Sequence, residues 1–401
     1  MKSNETRVRA VPAISEVAAR SWDACANPGR GADLRSPASP FHPFVSHAFL
    51  SALELSRSAT ARTGWQPQHL VLERADGSIA GVVPCYLKSH SRGEYVFDHG
   101  WAEAYERAGG RYYPKLQVSV PFTPVPGRRL LVPPGPDEAS AQTALMGALV
   151  ELARLRDASS VHMTFLTEPE WRIAAEHGFL QRTDQQFHWE NNGYASFDDF
   201  LAALSARKRK AIRRERREAV EHGIDISWLT GSDLTEGVWD AFFAFYMETG
   251  SRKWGRPYLT RDFFSLVGQS MADDILLVIA KRGGRTIAGA LNFKGSDTLY
   301  GRHWGAIEHH ACLHFELCYY QAIEYAIAHK LARVEAGAQG EHKIARGYLP
   351  TTTYSAHYIV DRGLRRAVAD YLKHERAYVE AAGRELAEAS PFRKDLAVEV
   401  E

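Results

Sequence analysis

Two pairs of segments recur in this chain in the same order. Residues 70–83, LVLERADGSIAGVV, and 277–291, LVIAKRGGRTIAGAL, each read as a strand, a glycine-containing turn and an Ile-Ala-Gly strand start. Residues 150–163, VELARLRDASSVHM, and 323–336, IEYAIAHKLARVEA, each read as a helix, a short link and a strand. Either pair alone could arise by chance. Both in one order point to duplication of a single α/β unit. The predicted fold class is therefore a mixed-sheet α/β chain built from tandem domains, placed at residues 1–192 and 193–401. A chain of 401 residues is also too long for one ordinary core.

Composition narrows the function. Hydrophobic residues make up 45% and charged residues 24%, as in a globular protein. The formal net charge is +1, so polyanion binding would need a local patch. The N-terminus lacks an apolar core of signal-peptide length, and no window reads as a membrane span. Cys25, Cys85, Cys312 and Cys318 show no metal or redox spacing, and a reduced cytoplasm fits them.

Local signals place the elements. Asp76-Gly77 between two apolar runs predicts a hairpin, with EYVFD (94–98) as a third strand. Residues 99–128 read as a long irregular insertion, aromatic and basic with prolines. Residues 197–223 read as one helix ending at Gly223. Residues 275–306 read as three antiparallel strands, followed by a helix, the strand ARVEAG, a later strand SAHYIV and a final helix over 363–388.

A hairpin, a third strand, a helix and a strand in each half resemble the GNAT acyltransferase fold. That resemblance implies that TLYGRHW and ARVEAG splay apart to admit an acyl donor. Acetyl-CoA enzymes of that superfamily hold pyrophosphate on a glycine-rich turn before the helix. This chain has GAIEHHACLHFE there, without glycines for close backbone approach. The Fem aminoacyltransferases are tandem GNAT folds that lack the turn and use aminoacyl-tRNA. Within that group RYYPKLQVSVPFTPVPGRRLL, LYGRHWG, LHFELCYYQ, GAQGEHKIARGYLP and SAHYI resemble the FemAB-like family of peptidoglycan biosynthesis or recognition. The resemblance spans roughly residues 40–390 and implies transfer of an aminoacyl or acyl group to an amine, on a small molecule or a peptide. No permanently bound cofactor is implied; the donor is aminoacyl-tRNA or acyl-CoA.

The residues suit that chemistry. Acyl transfer to an amine needs a proton acceptor, donors for an oxyanion and a proton for the leaving group. Glu341 and His342, in the loop after a small-residue strand end, and His303 on the bordering strand are the predicted catalytic groups. Lys343, Arg346, Tyr300 and Arg302 are predicted to bind substrate, as are Tyr112, Tyr113 and Lys115 of the insertion. Strict alternation would put Tyr300 and Arg302 on one face and His303 on the other. The bland alternative for 341–346 is a solvated loop with local ion pairs. Glu324 falls within the apolar face of its helix, so it is either paired or at a polar rim. His310 and His314 are four apart, but no glutamate pattern accompanies them, and no metal site is assigned.

The basic run carries Arg207, Lys210, Arg213, Arg214 and Arg217, which suit tRNA or another polyanion; a solvated helix face is the alternative. The rival functions are a CoA-dependent N-acetyltransferase and a non-catalytic binding protein on a GNAT scaffold.

Overall fold

The computed structural model describes residues 6–29, 40–254, 257–337 and 340–393, with the side chains of 251–254 and of Glu341 outside that set. In chain order the elements are β1 (Thr6–Val11), α1 (Ala19–Ala26), α2 (His47–Leu55), β2 (Trp65–Pro67), β3 (His69–Arg74), β4 (Ile79–Val83), β5 (Cys85–Lys88), α3 (His99–Arg107), β6 (Lys115–Val118), α4 (Glu138–Leu155), β7 (Ser160–Leu166), α5 (Glu168–Glu176) and β8 (Leu180–Glu190). Then come α6 (Phe197–Ala203), α7 (Ala206–Val220), β9 (Ile224–Leu229), α8 (Glu236–Trp254), α9 (Arg261–Ser270), β10 (Ile275–Arg282), β11 (Arg285–Lys294), β12 (Thr298–Ala306), α10 (Leu313–Phe315), α11 (Gln321–Ala328), β13 (Arg333–Glu335), β14 (Leu349–Ile359) and α12 (Arg362–Glu388). A π-helical turn, Glu316–Tyr320, joins α10 to α11.

The chain forms two compact units: residues 1–184 with 352–380, and residues 185–351 with 381–401. In the first, β1, β3 and β4 make a small antiparallel sheet, and β2-β5-β6-β7-β14 make a mixed one. One face of the mixed sheet is apolar: Leu116, Val118, Val161 and Met163 pack on Leu145 and Leu149 of α4. Full burial of each leucine contributes about 2 kcal/mol. In the second, the order is β8-β13-β12-β11-β10-β9, with β12 and β13 parallel and the other pairs antiparallel. Gly305 lets α8 cross β12 closely, because a Cβ there would lie 2.3 Å from the Phe245 carbonyl.

Both repeated segments take the same form. Each hairpin has a register shift beside its Ile-Ala-Gly start, at Leu72/Glu73 and at Ala280/Lys281. Each helix-strand segment ends in a parallel ladder three residues long, β6 with β7 and β12 with β13.

Three local expectations need correction. EYVFD is not a strand: Glu94 and Asp98 turn inward to hold the Lys115 ammonium, and β5 and β6 supply the sheet instead. The insertion is not wholly irregular, since it contains α3 and β6. The single helix over 197–223 is broken at Leu204, whose extended backbone bridges to Phe392 and whose side chain is fully buried.

Candidate functional site at the β12–β13 fork

Strands β12 and β13 pair over three rungs, Thr298–Arg333, Leu299–Val334 and Tyr300–Glu335. Past that point β12 bulges against β11: His303 faces Leu291 and Gly301 faces Asn292, which leaves Arg302 as the extra residue. A bulge re-aims the side chains that follow it. Arg302 and His303 therefore both line one cavity of about 120 Å³, with Gly301, Trp304, Tyr319 and Ala336. The alternation expected from sequence fails here for that reason. Tyr300, one rung earlier, is buried beneath the Arg302 guanidinium, 5.3 Å from its ring.

The electrostatics of the fork follow from burial. Arg302 donates to Glu335 Oε2 at 3.1 Å and to the Gly301 carbonyl at 2.9 Å. Burial raises the Glu335 pKa, although Arg302 opposes the shift. Burial, helped by Arg302, pulls His303 down to about 4, so the imidazole is neutral at pH 7. Its ring meets the Tyr246 ring edge-on at 5.2 Å.

The loop after β13 folds over the same region as a 3₁₀ turn, Glu341–Arg346. The side chain of Glu341 lies outside the described residues. His342 Nε2 and the Tyr319 hydroxyl are hydrogen-bonded at 2.9 Å. Lys343 is 2% exposed and donates to the Gly337 carbonyl at 3.0 Å. Burial lowers its pKa to about 8, and the nearby Arg302 charge adds to that. Arg346 donates to both carboxylate oxygens of Glu215, at 2.9 and 3.0 Å, and lies 3.4 Å over the Phe315 ring. Its charge is already matched within the unit.

A larger cleft of about 500 Å³ shares Trp304 and His314 with the fork cavity. The segment 306–315 lines it, together with Glu248 and Thr249. No glycine occurs between Gly305 and Gly337. Glu308 lies in the cleft and its pKa is lowered to about 2 by hydrogen bonds from Arg282 and His310. His310 thus serves that carboxylate.

Tyr112, Tyr113 and Lys115 belong to the first unit and form a network of their own. Lys115 is fully buried and donates to Ser91, Glu94 and Asp98. Burial alone would lower its pKa, but the Glu94 and Asp98 charges raise it. Tyr112 donates to Asp98 at 2.7 Å, and Tyr113 shares a hydrogen bond with Ser91. In this unit the buried Arg129 guanidinium donates to the Thr164, Gly127 and Val125 carbonyls beside the β6–β7 ladder.

Arg207, Lys210, Arg213, Arg214 and Arg217 are all exposed on α7, and Arg213 pairs with Asp198. The inward face of that helix carries residues that the sequence reading left out of the site. Arg216 binds Glu316 at 2.9 Å and Glu324 at 2.6 Å, which explains the carboxylate on the apolar face of α11. Glu215 holds Arg346 and Tyr320. Helical spacing carried a signal for Arg216, since it falls on the stripe of the buried Ile212 and Ala219. Glu335 and Tyr319 had no such signal, because their partners come from other elements.

A family model for peptidoglycan biosynthesis/recognition matches residues 13–394. The chain belongs to the FemAB-like family. Among solved structures it resembles FemX at 11% identity and a TM-score of 0.53, covering 88% of this chain and 98% of FemX. A conserved protein of unknown function from Bacteroides thetaiotaomicron matches at 13% identity and 0.50, covering 88% and 100%. A tandem GNAT protein from the clavulanic acid biosynthesis pathway matches at 14% and 0.47, covering 89% and 99%. This FemAB-like chain thus shares the overall fold of FemX. No curated protein matches it. Among the described residues no helix is long and apolar enough to cross a membrane.

Proposed function

We propose that this FemAB-like protein transfers an aminoacyl group to the amine of a cell-wall precursor, with the reacting carbonyl at the β12–β13 fork. The observation that carries the reading is the end of the parallel ladder at Tyr300–Glu335, beside a cavity lined by Arg302 and His303. The acceptor amine attacks the acyl carbon, a C–N bond forms, and the ester C–O bond to the donor breaks. The amine loses a proton, and the leaving oxygen gains one. His303, neutral at pH 7, and Glu341 are the groups proposed to accept the amine proton. Lys343 is proposed to offer its ammonium to the oxyanion or to the leaving oxygen, because burial has made that proton easier to release.

Aminoacyl-tRNA is the favoured donor. The larger cleft has no glycine turn for a pyrophosphate, and it carries the carboxylates Glu248 and Glu308. The exposed cations of α7 would hold the tRNA backbone. Such a reaction belongs in the cytoplasm, where charged tRNA is found.

The test is a transfer assay on purified protein with charged tRNA or acyl-CoA as donor and a cell-wall precursor peptide as acceptor. Transfer from charged tRNA, with a 10²–10⁴-fold loss of turnover in Glu341→Gln or His303→Gln and retained donor binding, supports the reading. Transfer from acyl-CoA alone overturns the donor. Binding of precursor without transfer from either donor leaves a recognition protein.

A further inference from the structure

Strands β7 and β14 pair antiparallel, and His162 stands directly opposite His357 in that ladder. The pairing joins distant parts of the chain, since residues 352–380 belong to the first unit. Both imidazoles are 1% exposed, and their Nδ1 atoms lie 2.7 Å apart. At that distance one Nδ1 carries a proton and the other accepts it. His162 Nε2 and the Ser160 hydroxyl share a second hydrogen bond, of 2.7 Å. His357 Nε2 is buried and has no hydrogen-bond partner among the described residues. The tautomer that donates from His357 Nδ1 and from His162 Nε2 leaves only a lone pair unmet there.

An added proton would find no free counter-charge. Asp98 Oδ2 lies 3.8 Å from His162 Nε2, but it already accepts from Lys115 and Tyr112. Lys115 on β6 and Arg182 on β8 add positive charge near the pair, and Arg182 is bound to Glu375 of α12. From α3 the pair meets the Trp101 ring, edge-on to His357 at 5.0 Å. Burial pushes both imidazoles below the ordinary histidine value. The next proton would enter at His357 Nε2, which has no acceptor. One more would set two Nδ1–H groups against each other.

We propose that the His162–His357 pair is an acid-sensitive latch. Neutral, it ties β14 to β7; charged, it frees β14 and the start of α12 from the first unit. Release would uncover Ile359, Leu364, Val368 and Leu372, which pack with Trp101 and Tyr112. In the released state each histidine titrates near its ordinary value, so acid favours release below about pH 6.5 and has no such effect above it. The latch does not depend on the transfer reading.

Hydrogen exchange of the full chain at pH 7 and pH 5, corrected for intrinsic rates, tests this. Peptides over 160–166 and 354–359 should lose protection about thirtyfold for each histidine that charges on release. The β3–β4 hairpin of the same unit should keep its protection. The double variant His162→Gln, His357→Gln should show no selective loss, and His357→Gln alone should show roughly half of it on a logarithmic scale. If the double variant fails to fold, the single one carries the comparison. Unchanged protection in the wild type overturns the proposal. So does an equal loss in the hairpin, which is acid unfolding of the whole unit. A loss that persists in the variants also overturns it and assigns the effect to the carboxylates around Lys115.

Discussion

The Arg302 guanidinium meets the Glu335 carboxylate at 3.1 Å where β12 and β13 stop pairing, and both side chains are under 5% exposed. The bulge that makes Arg302 an extra residue on β12 brings about this contact. Removing one member of a buried pair leaves the other as an uncompensated charge. Glu335→Gln should therefore cost about 3 kcal/mol of stability, measured by urea unfolding. Replacing both, with Arg302→Met and Glu335→Leu, should recover most of that loss. If the single variant unfolds at the wild-type urea concentration, the pair is unimportant to the fold.

Lys343 sets a pH dependence. Its folded pKa of about 8 lies below the ordinary lysine value of 10.5. Between those values the unfolded chain holds a proton that the folded chain has released, so stability rises with pH across that window. Below pH 8 both states are protonated, and the full cost of burying the charge remains, about 3 kcal/mol. Lys343→Met should thus stabilise the protein at pH 7, with a gain that shrinks between pH 8 and 10.5. In the same variant transfer should fall, because the ammonium is gone. A gain that stays constant up to pH 10.5 would refute the assignment.

The basic helix α7 has a salt signature. Arg213, Arg214 and Arg217 are exposed, while Arg216 on the same helix is tied to Glu316 and Glu324. Changing the three exposed arginines to alanine should weaken tRNA binding and reduce the slope of log K against log salt by about one unit per lost phosphate contact. The melting temperature should stay near that of wild type. Arg216→Ala should do the reverse and destabilise the protein, since it strands the buried Glu316. Filter binding at several salt concentrations, with a thermal melt of each variant, separates the two faces.

Lys115 tests the network of the first unit. With Glu94 and Asp98 buried around it, Lys115→Met removes the ammonium that touches both carboxylates, leaving Glu94 only Lys88 at 3.6 Å. The expected cost is about 3–5 kcal/mol, seen as a lower thermal midpoint. Direct substrate contact by Lys115 would instead appear as a raised KM with stability unchanged.

Much of the architecture was legible in the sequence because it rests on short-range order. The hairpin at Asp76-Gly77, the helix-strand pairs and the repeat of both are local patterns carried by their own apolar stripes. The family motifs were legible for the same reason. The strand β14, which the later half of the chain lends to the sheet of the first unit, follows no such local rule. EYVFD misled because its alternation suits a strand, while Lys115, about twenty residues on, drew Glu94 and Asp98 into a buried charge cluster.

Tertiary structure alone decided the chemistry of the fork. A one-residue bulge is invisible to a period-two pattern, yet it brought Arg302 and His303 into one cavity. Whether a charge is available is equally a matter of distant partners. Arg346 is matched by Glu215, which lies 131 residues away in sequence, and Arg302 by Glu335, which lies 33 away. Lys343, buried in the same loop, donates to a main-chain carbonyl, that of Gly337, rather than to a carboxylate. The sequence supplied the residue types and their order; packing determined which of their charges are neutralised and which stand beside the cavity.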